Sequence, residues 1–476
     1  MGVKKACRAA PPKLFGTSCL FGLSCGQYGD FKEALRVIKP IMLLRRGFAS
    51  MRWRTRVTLW IAATIAGLLV VAFARLADMA LAQFAQQTAE RAWLPFIYTP
   101  LIGMLVVWLT TRFFVGAQGS GIPQVIAATR LARQGKPINR LVSLRIAFAK
   151  ISLGTLALTG GFSAGREGPS VQVAASIMHF FHRFLPNARI VRSEDLILAG
   201  GAAGIAAAFN TPLAGIAFAV EELGRKLETR TSGVLLSTII LSGMVAIALQ
   251  GNYNYFGHFG IQDINHDIVV PALVIGIGCG LLGGLFSRML LWPQRHPHLI
   301  IWQWRRLHPV WFAGICGFVV AILGWLSGGM SFGSGYGITS QVIVSDVVLP
   351  WHAPVTRFLA TVVTYFSGIP GGIFAPSLAV GAAVGANTAE LFHLAAQPTI
   401  ALCMVGFLAA VTQSPITSAI IVMEMIDSHS MVISLMAVAL IAKAVSSRMG
   451  PELYQQLARG FLENAEAATK PKNPTQ

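Results

Sequence analysis

Residues 161–170 read GFSAGREGPS and residues 368–377 read GIPGGIFAPS, two versions of one segment in the two halves of the chain. The register has no gap: Gly161/Gly368, Gly165/Gly372, Pro169/Pro376 and Ser170/Ser377 each lie 207 positions apart. A second pair follows in the same order. FNTPLAGIAFAVEE (209–222) lies over TQSPITSAIIVMEM (412–425), with Pro212/Pro415 and Glu221/Glu424 offset by 203. A third, weaker pair sets GSGIP (119–123) against GSGYG (333–337). Such a chain is expected to fold as two related halves, about 57–250 and 268–445.

Composition identifies the medium in which those halves fold. Charged residues make up 12% of the chain and apolar residues 54%, whereas a soluble domain of this size carries about twice that charge. Uncharged runs long enough to span a bilayer begin with Val57 to Ala74, between Arg56 and Arg75. Further apolar blocks lie near 94–110, 196–220, 231–250, 268–286, 310–330, 355–380, 398–423 and 430–442. Several contain Gly or Pro, so helices should outnumber clean spans. The fold class is an all-α polytopic membrane protein. In that setting, Gly/Pro-interrupted segments at matching places in two halves point to a binding site where the repeats meet, as in a transporter or channel.

The net charge of +19 would suggest nucleic acid in a soluble protein. In a membrane protein the positive-inside rule accounts for it, and no nucleic-acid partner is expected. Residues 1–56 hold twelve Lys and Arg against Asp30 and Glu33, so this basic N-terminal segment is assigned to the cytoplasm. The clusters Arg130/Arg133/Lys136/Arg140 and Arg225/Lys226/Arg230 are expected on the same side. Residues 1–50 do not read as a secretory signal; because Met51 heads MRWRTR, they are a cytoplasmic extension or follow an upstream start. Residues 461–476, polar with Pro471 and Pro474, read as a cytoplasmic tail with no room for a soluble regulatory domain. The six cysteines have no C-x-x-C spacing, so neither a zinc site nor any cofactor is expected.

The doubled motifs suit an anion. An anion leaving water must be stabilised without being trapped, and helix N-termini with their free N–H groups supply graded positive potential. Such ends need Gly for close backbone approach and Pro in the first turn, where no intrahelical N–H is lost. GSGIP, GREGP and GGIFAP (371–376) have that form, and irregular backbone at bilayer depth is tolerable only around a protein-lined cavity. Intramembrane carboxylates are the second signal. Glu167 sits in an apolar run beside Arg166. Glu221 and Glu222 end an uncharged segment, and Glu424 takes the matching place in the other half, either in the ion path or as a charge at a helix end. A carboxylate beside an anion site can compete for it when charged and vacate it when protonated.

These residues resemble the CLC family of chloride channels and proton-coupled transporters. GSGIP (Gly119, Ser120, Gly121, Pro123), GREGP (Gly165, Arg166, Glu167, Gly168, Pro169) and GGIFAP (Gly372, Ile373, Phe374, Pro376) match its three signature loops in order. Tyr454 of PELYQQL matches its C-terminal pore tyrosine. The similarity covers roughly 57–460. It implies a homodimer with one pore per subunit, each subunit an inverted repeat of broken, tilted helices. By the resemblance, chloride is held by the Ser120 and Tyr454 hydroxyls and the backbone amides of Ile373 and Phe374. Glu167 is the external gate, and Glu222, 55 residues further on, receives protons from the cytoplasm. Serine at 120 accompanies chloride preference within the family, and glutamate at 222 the exchangers. The regulatory domains common in eukaryotic members are absent, which implies a bacterial inner-membrane version with both termini cytoplasmic. Gln124 departs from the acidic residue frequent after GSGIP.

The expected function is therefore proton-coupled chloride exchange, with a passive voltage- or pH-gated chloride channel as the alternative. An intramembrane enzyme finds no support: H-E-x-x-H and paired intramembrane aspartates are missing.

Overall fold

The computed structural model describes residues 31–185, 191–224, 232–251, 269–345 and 349–469. The first 30 residues, the basic cluster at 225–230 and the end of the polar tail lie outside the described residues. By contact density the chain divides after Arg54, and the elements that build the site belong to the second unit, Thr55–Gln476.

Among the described residues the chain is a succession of nineteen α-helices. The first half holds α1 (Phe31–Glu90), α2 (Pro95–Phe113), α3 (Ile122–Arg133), α4 (Leu144–Thr159), α5 (Glu167–Phe181), α6 (Ser193–Phe209), α7 (Pro212–Phe218) and α8 (Ser232–Gln250). The second half contains α9 (Val269–Leu290), α10 (Trp292–Arg295), α11 (Ile300–Leu307), α12 (Pro309–Leu326), α13 (Tyr336–Ser345) and α14 (Ala353–Ser367). It closes with α15 (Phe374–Phe392), α16 (Ala396–Thr412), α17 (Pro415–Ile426), α18 (Val432–Met449) and α19 (Leu453–Thr469). A π-helical turn, Ala219–Gly224, continues α7. Segments of α1, α2, α8, α9 and α12, and one that includes α18, are long and apolar enough to cross a membrane.

Helices outnumber the clean spans, as expected, because three of the apolar blocks are pairs of helices. The block near 196–220 breaks at Asn210 and the one near 398–423 at Gln413, both left-handed, with φ of 59° and 60°. Each is followed by a residue outside the α region, Thr211 or Ser414, and then by a proline at the first helical position. The cause is local. A residue before proline is pushed out of the α region, and proline then opens the next helix at no cost in hydrogen bonds. The block near 355–380 breaks after Ser367, where Gly368 is left-handed and the chain stays irregular until Phe374.

The breaks repeat between the halves. The bounds of α16 match those of α6 at the 203-residue offset, and both helices are 17 residues long. The pair α5/α6 corresponds to α15/α16, and both pairs pack tightly. In the first, Gly200 and Gly204 of α6 lie against the α5 backbone; in the second, Gly381 and Gly385 of α15 lie against the α16 backbone. Small residues four apart let membrane helices approach closely where lipid gives no hydrophobic drive. The same crossing is thus made with glycine on opposite members of the pair.

Candidate ion-binding site

Three loops converge, each ending in a helix N-terminus. In the first, Gly119 and Gly121 have φ of 66° and 103°, a region that only glycine occupies freely, and Gly121 is the N-cap of α3. Gln124 explains itself here. Its Oε1 accepts the Gly121 N–H at 3.1 Å, and its Nε2 donates to the Gln118 carbonyl. An amide does both; a carboxylate could only accept. In the second loop Glu167 is the first residue of α5. Arg166 pairs with Asp78 at 2.5 Å and donates to the Ala74 carbonyl at 2.7 Å, which ties the loop to α1. In the third, Ile373 is the N-cap of α15 and Phe374 its first residue. Pro123, Pro169 and Pro376 all lie in first turns.

Backbone hydrogen bonds stitch the loops together. Gly119 donates to Ile369 at 3.0 Å and accepts from Gly371 at 3.1 Å. Gly165 and Gly372 exchange both bonds, at 2.8 and 2.7 Å, in antiparallel sense. Those two residues are repeat mates. A residue that pairs reciprocally with its own counterpart marks the pseudo-two-fold axis of an inverted repeat. The bonds also occupy the loop carbonyls, and Lys150, fully buried on α4, donates to the Gly119 carbonyl as well. With carbonyls engaged there, repulsion of an anion at these loops is reduced, and the helix N-termini can act on it. A Cβ on Gly168 would lie 2.9 Å from the Ser120 carbonyl oxygen and 3.2 Å from Gly372 Cα. All three loops meet there.

Side chains complete the site. Glu167 is buried, and its carboxylate takes backbone hydrogen bonds from its own N–H and that of Ala375. It therefore sits at the N-terminus of α15 as well as of α5. Tyr454, at the start of α19, is fully buried with its ring stacked on Phe374 at 5.9 Å between centroids and 7° between planes. The Ser120 and Tyr454 hydroxyls approach one another without reaching hydrogen-bond geometry, and neither has another partner among the described residues. Glu222 lies in the π-helical turn, buried. Its carboxylate accepts from Ser414 Oγ at 2.5 Å, and its backbone carbonyl accepts from Gln455 Nε2 at 3.1 Å. Gln455 in turn is held by Arg130.

The other paired glutamates do structural work. Glu221 accepts from the N–H groups of Ile416 and Thr417 at 3.3 and 2.7 Å, capping α17. Glu424 accepts from Leu213 and Ala214 at 3.3 and 2.8 Å, capping α7. Donors and acceptors are both 203 positions apart, so each half caps a helix of the other. The GSGYG segment stands away from these contacts: Gly333 donates to the Gly161 carbonyl at 3.2 Å, and buried Arg357 holds the Phe332 and Gly333 carbonyls.

A model of the voltage gated chloride channel family matches residues 102–447. This chain belongs to that family. The H(+)/Cl(-) exchange transporter ClcA of Yersinia pseudotuberculosis serotype IB (strain PB1/+) is 31% identical over 434 residues, covering 85% of this chain and 87% of that protein. Its namesake from Cronobacter sakazakii (strain ATCC BAA-894) is 30% identical over 432 residues, covering 85% and 89%. Among solved structures, a slow cyanobacterial Cl-/H+ antiporter is similar at a TM-score of 0.74 and 27% identity, covering 86% of this chain and 98% of that one. A CLC-type fluoride/proton antiporter shares the fold at a TM-score of 0.71 and 22% identity, covering 84% and 96%.

For a member of the voltage gated chloride channel family, the sequence had signals for Ser120, Glu167, Phe374 and Tyr454, which the structure brings together. It did not single out Lys150, Asp78, Ser414 or Gln455. Only Ser414 had a usable signal, as the residue before the duplicated proline.

Proposed function

We propose that this protein moves chloride across the bacterial inner membrane in exchange for protons, as a homodimer with one pore per subunit. The observation that carries the reading is the convergence of three helix N-termini and two unpaired hydroxyls beside Glu167, with Glu222 joined to the start of α19 through Gln455. Chloride is held by the Ser120 and Tyr454 hydroxyls and the Ile373 and Phe374 amides, donors without a full positive charge. Gly119, Gly121, Gly165, Gly168 and Gly372 let the backbones close on it, and Arg166 anchors the gate loop. Glu167 competes with chloride when ionised and leaves the site when a proton neutralises it. Glu222 takes the proton on the cytoplasmic side. The names of the exchange transporters among its relatives support exchange over passive flow. The ions are substrates, and no cofactor enters the scheme. Residues 1–56 and 461–476 flank the transport domain (57–460) on the cytoplasmic side.

The test is thermodynamic. In planar bilayers holding the purified protein, a tenfold proton gradient stores about 1.4 kcal/mol per proton, equivalent to one charge moving through roughly 60 mV. The zero-current voltage should shift when pH alone is changed, and Glu222→Gln should lose that shift. A wild-type voltage set by the chloride gradient alone makes the protein a passive channel.

A further inference from the structure

A serine at a helix N-cap ordinarily turns its hydroxyl to the second or third N–H of the helix. Ser414, the N-cap of α17, does not. Those two N–H groups, on Ile416 and Thr417, are taken by the Glu221 carboxylate from the other half. The Ser414 hydroxyl is thereby released, and it donates to Glu222 Oε2 at 2.5 Å, within the range of a charge-assisted O–H···O bond. Both residues are 3% exposed. The two neighbouring glutamates divide the work: Glu221 caps the helix, and Glu222 receives the hydroxyl that capping set free.

The opposite half is an internal control. There Glu424 caps α7 through Leu213 and Ala214, as Glu221 caps α17. Thr211 stands in the position of Ser414, with its hydroxyl buried and unpaired among the described residues. Met425 stands in the position of Glu222. The capping glutamate is therefore a requirement of the fold in both halves, whereas the hydroxyl–carboxylate pair exists in one only. Its presence follows from neither capping nor repeat symmetry.

We propose that Ser414 is a positioning residue for proton exchange, holding the Glu222 carboxyl in one orientation through both of its protonation states. A hydroxyl suits that task because it can donate to the ionised carboxylate and, after rotating, accept from the protonated acid. The proton itself stays on Glu222 and the oxygens need not move. The inference rests on the exchange reading and adds to it a residue from the repeat's second copy.

The experiment uses the full chain in liposomes, with chloride efflux and proton uptake recorded together from pH 4.5 to 7.5. Ser414→Ala should keep chloride efflux. Its proton-to-chloride ratio should fall about tenfold, the scale of one hydrogen bond to a charged group. The pH of half-maximal proton uptake should move upward, because the ionised carboxylate has lost a donor. Ser414→Thr, which keeps the hydroxyl, should restore the ratio, and Ser414→Ala added to Glu222→Gln should change nothing further. Ser414→Gly, tolerated at N-caps, should repeat the Ala result and serves if the Ala variant does not fold. A coupled wild type with unaltered ratio and pH profile in Ser414→Ala or Ser414→Gly overturns the role of Ser414 alone. Equal impairment in Ser414→Thr overturns it too, since the hydroxyl would not be what matters. A wild type that moves no protons overturns the exchange reading and Ser414 with it.

Discussion

Glu167 unites two jobs in one side chain. As the first residue of α5 it is a favourable N-terminal anion for its own helix, and its carboxylate also takes the Ala375 amide at the start of α15. In the proposed scheme an ionised carboxylate there competes with chloride for helix N-termini, and a neutral one has much less to offer them. Glu167→Gln should therefore leave chloride flux independent of external pH and reduce proton flux to background, both read from liposomes with pH and chloride electrodes. PH dependence surviving in a folded Glu167→Gln protein would take this residue out of the gate. Arg166 does not compromise the arrangement, because its charge is engaged by Asp78 and the Ala74 carbonyl. Lys150 likewise brings an amine near the loops, and it donates to the Gly119 carbonyl. The donors proposed for chloride are then neutral, which would favour release as well as binding.

Among the elements, α7 and α17 matter most. They are 7 and 12 residues long, or roughly 10 and 18 Å at the helical rise, too short to cross the hydrocarbon core. Their first N–H groups have no intrahelical acceptor and need partners, and Glu424 and Glu221 supply them from across the repeat. Loss of such a cap costs about 1 kcal/mol. Glu424→Ala and Glu221→Ala should each lower the thermal midpoint by about one degree in a tryptophan-fluorescence scan, to a similar extent. Midpoints equal to wild type in both would mean that the caps contribute nothing to stability.

Over the whole molecule, the two caps give a physical reason for the proposed second subunit. Leu213 and Ile416, repeat mates in the first turns of α7 and α17, are 54% and 48% exposed, beside carboxylates that are only partly buried. Partly exposed carboxylates facing lipid are costly, and a second copy placed over this surface would remove that cost. Light scattering of the detergent-solubilised protein, with bound detergent subtracted, should return twice the 50.9 kDa of one chain. A mass of one chain would leave this face without the cover proposed for it.

Much of this architecture could be read along the chain, because its signals are local. Hydropathy needs only neighbouring residues, and a glycine-rich loop closed by a proline specifies a helix start wherever it lies. The duplication announced two halves, and the family resemblance marked Ser120, Glu167 and Tyr454 before any contact was known. Helices outnumber the clean spans, as the Gly and Pro inside the apolar blocks imply, but the places of the breaks are less plain. Asn210 and Gln413 are not glycines, and their left-handed turns register only through the prolines two residues on. What remained hidden rests on atoms about 200 residues apart. Gly165 pairs with its own mate, and Glu221 and Glu424 exchange helices. Ser414 shows the limit best. As a residue type at an N-cap it reads as a cap, and it became the partner of Glu222 only because folding delivered another carboxylate to do the capping. Local preference decides which hydrogen bonds a side chain can make. Competition among neighbours assembled in space decides which one it keeps.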